Sequence, residues 1–466
     1  MMMSYTCLLR SVWLSQPLRS LHRFVLISAI APAALLAQSV RAEDGAAEQS
    51  RAAAVVPAQP VEAPQRPGDA VAEGAGAGDR LTLSAAVDRL ERANLTLTAQ
   101  WLEVVQARDD VIAAGQRPNT VLLIQANGAQ TRLRPWEFAP KLWMRGLTAG
   151  LAARVIEAQY RNAVRTCTAE LYTAFVDLQE AQMQVRLARA SVTSYESLLD
   201  VTKLFTETGQ LGKAELARVN ASKTRATIGV AEAELALQQA RLTLADLLSI
   251  PAPQAKQLEV ADDTERPESP LPPLDELIRV ALACRPDLSA YRLGLRRAQA
   301  DWLRALVEQL PDLYCVAQPN QLPRAKAAGV ADALPLASSL LVSLPDLDHH
   351  RGRIARADHN VEQTRIELAQ VERRVILEVR QALLEYSHSL SVWRRLREEL
   401  LPSARAARDR AYNLFHNGET DSQNYLSAQT DYNEVAQEYL KAAIRHRRAA
   451  LGLNTAVGKR VLAEPR

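Results

Sequence analysis

Histidine and cysteine are the residue types in this chain whose spacing could build a metal site or a nucleophile. His349 and His350 are adjacent, and His359 follows nine positions after His350, so the three side chains need not share one face of a helix. Cys7, Cys167, Cys284 and Cys315 are scattered along the chain. Their spacing matches neither a zinc site nor a disulfide framework. We therefore predict no metal site, a solvated histidine segment, and cysteines that serve as small apolar residues.

Sequence motifs of catalysis are absent as well. The chain contains no HExxH, no GxSxG and no Walker-type phosphate loop. We therefore predict no catalytic residues, no cofactor-binding residues and no enzymatic activity. Lysine and arginine number 56, and aspartate and glutamate number 53. Without a basic stripe, this balance argues against nucleic acid as a partner.

The N-terminal segment has the pattern of a secretory signal peptide, which we place at residues 1–42. Arg19 and Arg23 precede an apolar stretch at residues 24–36, and Ala42 offers a small residue at the cleavage site. The apolar stretch is shorter than a comfortable membrane span, although an uncleaved anchor stays open as an alternative. Residues 43–80 are rich in alanine, proline and glycine, which predicts a disordered leader.

The elements that follow occur twice. Residues 83–118 resemble residues 274–311, and five matched pairs share one offset of 191 positions. The matched pairs are Leu97 with Leu288, Ala99 with Ala290, Leu102 with Leu293, Ala107 with Ala298, and Asp110 with Asp301. We predict a first repeat at residues 81–258, a linker at 259–270, a second repeat at 271–455 and a C-terminal tail at 456–466. A duplicated unit of this length indicates two similar halves.

Each repeat contains a long heptad pattern, which predicts an antiparallel helical hairpin. The outgoing helix of the first hairpin carries Val164, Leu171, Leu178, Val185, Val192 and Leu199 at intervals of seven. The return helix carries Val219, Ala226, Ala233, Ala240 and Leu247, with Val230, Leu237 and Leu244 in a second row. The second hairpin begins with Ile354, Val361, Leu368, Val375 and Ala382 at the same interval. We expect this helix to run from about residue 150 to 206, and Pro402 to kink its counterpart in the second repeat. Short apolar segments at 121–126, 313–316 and 340–344 predict strands, residues 128–140 read as a loop, and residues 141–150 read as a poor strand.

At this point the chain resembles the TolC-type outer-membrane efflux channel family. The resemblance covers residues 81 to about 453, and its most specific part is Phe415-x-x-Gly418 followed by Leu426-x-Ala428-Gln429. Arg285-Pro286-Asp287-Leu288 resembles the motif near the start of the family's repeats. The implied fold is mainly α with a small β part: two tandem repeats of long helical hairpins plus strands. Three chains would form an α-barrel capped by a shared twelve-stranded transmembrane β-barrel.

The resemblance also implies where the chain meets its partners. The periplasmic tips would contact an adaptor through Leu204, Phe205, Gly209, Leu414, Phe415 and Gly418. Burial of the leucines and phenylalanines in the helix seam is an equal alternative. Asp421, Asn424 and Ser427 would line the aperture, although the family often has aspartates at the positions of Asn424 and Ser427.

The function implied by the resemblance is a passive, gated conduit from the periplasm to the exterior. Its partners would be two further copies in a homotrimer, a periplasmic adaptor protein, an inner-membrane pump and outer-membrane lipid. Two alternatives stay open: an outer-membrane channel for type I protein secretion, and a secreted coiled-coil scaffold without a pore. The sequence does not indicate the cargo.

Overall fold

The computed structural model describes residues 80–124, 130–136, 139–208, 211–261, 271–310, 313–319, 336–342, 350–417 and 419–462. The predicted signal peptide and all of the predicted leader except Arg80 lie outside these residues. Helices dominate the described part of the chain, which confirms the predicted mainly helical fold. None of the described helices has an apolar stretch long enough to cross a membrane.

Ten helices follow one another in the described residues. The first half contains α1 (Leu83–Ala93), α2 (Leu95–Gly115), α3 (Ala139–Glu207), α4 (Lys213–Leu247) and the single turn α5 (Ala252–Ala255). The second half contains α6 (Leu274–Cys284), α7 (Pro286–Val307), α8 (Arg351–Arg395), α9 (Leu401–His416) and α10 (Ser422–Val457). The 69 residues of α3 extend for about 100 Å at the rise of an α-helix.

Burial in the two hairpins follows the heptad rows. In α3, Leu171, Leu178 and Leu199 are buried, and in α4 Val219 and Leu244 are buried. A heptad row keeps one face of each helix turned towards its partner, so these side chains leave water together. The predicted hairpin seam of the first repeat is therefore confirmed. In the second repeat, Val375 of the predicted row is buried as well.

The described strands form one antiparallel sheet in the order β1 (Val121–Ile124), β2 (Gln130–Trp136), β3 (Leu313–Pro319) and β4 (Leu336–Val342). The two repeats meet between β2 and β3, where Leu133 lies opposite Val316. The sequence predicted β1, β3 and part of β4, and it missed β2.

The prediction of a loop at 128–140 followed by a poor strand at 141–150 was wrong. The strand lies earlier, in β2, and residues 141–150 are the first turns of α3. Hydrogen bonds from Arg145 and the burial of two side chains account for the helical start of α3. Arg145 donates hydrogen bonds to the carbonyl oxygens of Ala114 at 2.9 Å and Gln116 at 2.7 Å, which ties α3 to the end of α2. Met144 and Thr148, one turn apart, are both buried.

The interruption predicted at Pro402 is a π-helical turn. Residues Leu396–Leu400 are π-helical, and the amide of Leu401 donates to the carbonyl of Leu396. Proline lacks an amide proton and crowds the carbonyl four residues earlier, so a regular α-helix cannot continue unchanged through this position. The outgoing helix of the second hairpin is thus divided into α8 and α9, whereas α3 is continuous.

The sheet and the helices are joined in one order. α2 leads into β1, β2 leads towards α3, α7 leads towards β3, and β4 leads towards α8. Because the strands are antiparallel neighbours, all four of these junctions lie at one end of the sheet. The four helices also pack in strand order: α2 on α3, α3 on α7, and α7 on α8.

Candidate functional site: the hairpin tips

The first tip comprises residues 204–208 and 211–216, where α3 turns into α4. The amide of Leu211 donates to the carbonyl of Phe205 at 3.1 Å, and the amide of Thr208 donates to that of Leu204 at 3.1 Å. These bonds satisfy carbonyls at the end of α3 that have no partner within the helix. Gly209, predicted to sit in this turn, lies outside the described residues.

The second tip comprises residues 414–417 and 419–427, where α9 turns into α10. The amide of Glu419 donates to the carbonyl of Leu414 at 2.9 Å. Asp421 occupies the N-cap position of α10 with an extended backbone, and its carbonyl accepts from the amide of Asn424 at 3.2 Å. Gly418 lies outside the described residues.

The predicted Leu–Phe pairs divide between the inside and the outside of the chain. Phe415 is only 2 % exposed, and its ring meets that of the half-buried Phe205 edge to face, with 5.7 Å between ring centroids. Leu414 is 39 % exposed and Leu204 is 58 % exposed. Successive side chains on a helix point about 100° apart, which explains the division. The phenylalanines join the two tips, and the leucines face outwards.

Tyr425 is a tip residue that the sequence analysis missed. It is buried, its ring stacks on Phe415 with 6.1 Å between centroids, and it also meets Tyr412 at 5.5 Å. Burial raises the pKa of its hydroxyl. Tyr195, Leu198 and Val219 of the first hairpin complete the same buried cluster. The two tips therefore share one apolar core.

A chain of polar side chains leads from this core towards the first hairpin. The Tyr425 hydroxyl donates to Gln429 at 3.3 Å, the Gln429 amide donates to Asn433 at 2.9 Å, and the Asn433 amide donates to the Ser191 hydroxyl at 3.0 Å. The three residues of α10 are spaced by four and so share one helical face. That spacing is the sequence signal that could have revealed them.

The three predicted aperture residues all point to the surface of the chain. Asp421, Asn424 and Ser427 are exposed, and the Asn424 amide donates to the Thr420 hydroxyl at 2.9 Å. Glu419 and Asp431 are exposed nearby, so carboxylates flank this surface without forming a ring of three at the predicted positions. No group of potential metal ligands is found among the described residues.

A buried ionic cluster centred on Arg285 lies at the other end of the second hairpin, and the sequence had indicated Arg285 only as part of a motif. Arg285 is 3 % exposed and donates to Asp287 at 2.6 Å, to Glu378 at 2.6 Å and to the carbonyl of Ala456 at 3.0 Å. Arg165 of the first repeat lies 3.9 Å from Asp287 and donates to the carbonyl of Thr455. The cluster ties the two repeats to the end of α10.

The electrostatics of this cluster favour the charged forms of Arg285 and Asp287, whereas burial and the neighbouring Arg285 lower the pKa of Arg165. Burial works against ionisation of Asp287, but hydrogen bonds from Arg285 outweigh it, so the pKa of the carboxyl is lowered. Burial also works against the Arg285 guanidinium, and its bonds to Asp287 and Glu378 raise its pKa nevertheless. Neither Arg285 nor Asp287 changes its charge near neutral pH, so we assign the cluster a structural role.

Residues 277–459, which include the second tip and most of the ionic cluster, match the sequence profile of the family described as outer membrane efflux protein. This segment belongs to that family. The cobalt-zinc-cadmium resistance protein CzcC of Cupriavidus metallidurans is 24 % identical over 393 residues, which cover 81 % of this chain and 90 % of CzcC. The sequence similarity to CzcC thus extends beyond the second repeat.

Two solved outer-membrane channels share the fold. The outer-membrane channel OprN superposes with a TM-score of 0.68 at 17 % identity, covering 81 % of this chain and 89 % of OprN. The open state of the MtrE outer-membrane channel of Neisseria gonorrhoeae gives 0.66 at 15 % identity, covering 81 % and 89 %. The predicted resemblance to TolC-type efflux channels is confirmed.

Proposed function

We propose that the chain is the outer-membrane channel subunit of a tripartite efflux or export system, a passive conduit from the periplasm to the exterior. The observation that carries the proposal is the sheet whose four strands all join helices at the same end. This arrangement separates a strand layer suited to a membrane from a helical layer beneath it. The family match and the shared channel fold support the same role.

A single chain leaves this sheet open, since β1 and β4 have no partner on their outer sides among the described strands. In lipid, unpaired backbone groups are costly, so the sheet needs closure. We propose that three chains pool four strands each into a twelve-stranded β-barrel in the outer membrane. The helices of the three chains then continue as an α-barrel in the periplasm.

The tips are the proposed site of contact with a periplasmic adaptor, which links the channel to an inner-membrane pump. Leu204 and Leu414 offer exposed apolar side chains there. Phe205 and Phe415 hold the two tips together, and we assign Gly209 and Gly418 to the same contact region. Asp421, Asn424 and Ser427 line the aperture, which closes at rest and opens when adaptor and pump engage.

The channel role is tested by conductance in a planar bilayer, with the mass of the detergent-purified protein measured in parallel. We expect discrete conductance steps from a trimer. A soluble, elongated species that never inserts would contradict the proposal and favour the coiled-coil scaffold.

Contact through the tips is tested separately with Leu204→Ser/Leu414→Ser, which should weaken adaptor binding while conductance persists. Gly418→Val should impair tip closure or docking.

For the cargo, the similarity to CzcC favours divalent transition-metal ions as a first candidate. The test is complementation of a host that lacks its own metal-efflux channel but keeps the matching adaptor and pump. Restored growth on cobalt, zinc or cadmium supports this cargo. Restored drug resistance instead, or secretion of a protein by a type I system, would assign the channel to another pump class.

A further inference from the structure

Two helices begin with basic side chains and no acidic ones. Lys141 lies in the first turn of α3, Arg351 and Arg353 lie in the first turn of α8, and neither first turn contains a carboxylate. A helix N-terminus carries partial positive charge, so basic residues there oppose helix stability. The other described helices have an acid or no charge in the first turn, except α4, where Glu215 accompanies Lys213. The basic first turns of α3 and α8 therefore do not stabilise their own helices, and their role lies in contacts outside the helix.

Both helices start where a strand has just ended. α3 follows β2 and α8 follows β4, and both junctions lie at the helix end of the sheet. Further basic residues are found at the same level: Arg117 between α2 and β1, Arg304 in the last turn of α7, and Arg356 in the second turn of α8. We call the set Arg117, Lys141, Arg304, Arg351, Arg353 and Arg356 the basic rim.

Arg304 is bonded to Glu308 at 3.0 Å, whereas the exposed arginines of the basic rim are available to an external anion. Arg117, Arg351 and Arg356 are exposed, and none of them forms an ion pair with a described carboxylate. Arg353 has a 71 % exposed side chain and forms a long ion pair with Glu308, at 3.9 Å. Arg351, Arg353 and Arg356 are spread over roughly half of the circumference of α8. Some of them therefore face outwards whichever side of the helix an assembly covers.

We propose that the basic rim binds the phosphates of anionic phospholipids in the periplasmic leaflet of the outer membrane. The inference rests on the proposed function, because only a sheet placed in the membrane brings its helix end to the level of these headgroups. Exposed arginines at that level attract anionic headgroups while their aliphatic stems lie along apolar surface. The rim would thus set the depth at which the barrel sits.

The test uses full-length, delipidated protein titrated with phosphatidylglycerol or with phosphatidylcholine and followed by native mass spectrometry. We expect the wild type to bind phosphatidylglycerol about tenfold more tightly, with a preference that weakens as salt screens the charges. Arg351→Gln/Arg353→Gln/Arg356→Gln should lose most of the preference. The matched control, Arg373→Gln/Arg374→Gln/Arg380→Gln, removes three exposed charges further along the same helix and should keep it.

The outcomes separate this inference from the proposed function. A wild type that conducts in bilayers but shows no lipid preference overturns the basic rim alone, as does equal loss in the control variant. Inorganic phosphate that abolishes the preference as effectively as the rim substitutions would identify a free-anion site and also overturn it. A protein that never conducts removes both proposals. If the α8 variant misfolds, Arg117→Gln carries the same test on the junction of α2 and β1, where a smaller loss of the preference is expected.

Discussion

In each half of the chain, a helix start is bonded to the end of the return helix, but the chemistry of the bond differs. We call the contact at Asn94 the first joint and the contact at Arg285 the second joint. At matching positions, Asn94 donates to the carbonyl of Leu247 at 2.9 Å, and Arg285 donates to the carbonyl of Ala456 at 3.0 Å. Each bond ties the start of a helix to the end of the return helix of its own hairpin. Asn94 does so as a neutral cap, whereas Arg285 needs Asp287 and Glu378 to balance its charge. Both halves therefore keep this contact, but the first depends on neutral hydrogen bonds and the second on ion pairs.

The hairpins differ in the same way. The outgoing helix α3 of the first hairpin is continuous over 69 residues, whereas the second is divided by the π-helical turn Leu396–Leu400. None of the residues in that turn is buried. A helix interrupted next to a proline bends more readily than a continuous one. The second hairpin therefore has a point of reduced helical continuity that the first hairpin lacks.

The largest effect should come from removing the charge at the second joint. Arg285→Ala leaves Asp287 and Glu378 without their partner, and breaking such a buried pair should lower the free energy of unfolding by about 3 kcal/mol. Asn94→Ala loses a helix cap and one bond to a carbonyl, which should cost about 1–2 kcal/mol. Denaturant unfolding followed by helical circular dichroism measures both. Equal costs would mean that the two joints are energetically alike.

Loss of the contact between the tips should give an effect of similar size, confined to the tips. Phe415→Ala removes a buried ring and should lower the local stability of the second tip by about 3 kcal/mol. The control Phe415→Leu refills most of the space and should cost about 1 kcal/mol. Hydrogen exchange of the amides at both tips measures the change. A double-mutant cycle with Phe205→Ala should give a coupling of about 1 kcal/mol, and zero coupling would show that the tips are independent.

Acid should destabilise the second joint, because Asp287 there is ionised, whereas the matching residue of the first joint is Thr96. The pKa of Asp287 is lowered by its bonds to Arg285, so its contribution to stability is complete above its unfolded pKa of about 3.9 and is lost as the pH falls through the folded value. Glu91 in α1 behaves in the opposite sense, because burial raises its pKa and protonation relieves the cost.

Hydrogen exchange between neutral and acidic pH checks this contrast. Amides around the junction of α6 and α7 should lose protection as the pH falls below about 4, and those of α1 should lose less. Asp287→Asn should remove most of the pH dependence at the second joint. Loss of protection in α1 first would contradict the assignment.

The sequence predicted the parts of the fold that one helix or one strand decides alone. The heptad rows identified Leu171, Leu178 and Val375 as seam residues because periodicity is a local property. β2 contains Pro135 and two arginines, and it becomes a strand because β1 and β3 lie on either side of it. Such pairing between distant segments is invisible in a single window of sequence.

For the candidate site too, the sequence predicted what is local and missed what depends on contact between distant segments. The positions of the tips follow from Phe205 and Phe415 and from the turn that each precedes. Their division into buried phenylalanines and exposed leucines depends on contact between the two hairpins, which no spacing within one hairpin reports. Arg285 was visible as a motif residue, but its ionic role required Glu378, which lies 93 positions later in the sequence.

The smallest expected effects, of opposite sign, come from the ends of the two return helices. Gly458 has φ of 74°, and the matching Ser249 has φ of 51°, so both adopt the left-handed conformation that favours glycine. A Cβ on Gly458 would also lie 3.0 Å from Cγ of Arg285. Gly458→Ala should therefore lower the free energy of unfolding by about 1–2 kcal/mol, from backbone strain and displacement of the arginine.

Ser249→Gly should act in the other direction, because it relieves strain of about 1 kcal/mol and loses part of that gain to the greater freedom of glycine in the unfolded chain. We expect a net gain of roughly 0.5 kcal/mol in the free energy of unfolding. Thermal unfolding of both variants beside the wild type measures the pair. If Gly458→Ala is harmless while Arg285→Ala is costly, then the arginine can shift without losing its carboxylates. The second joint would then tolerate displacement, although it does not tolerate loss of the charge.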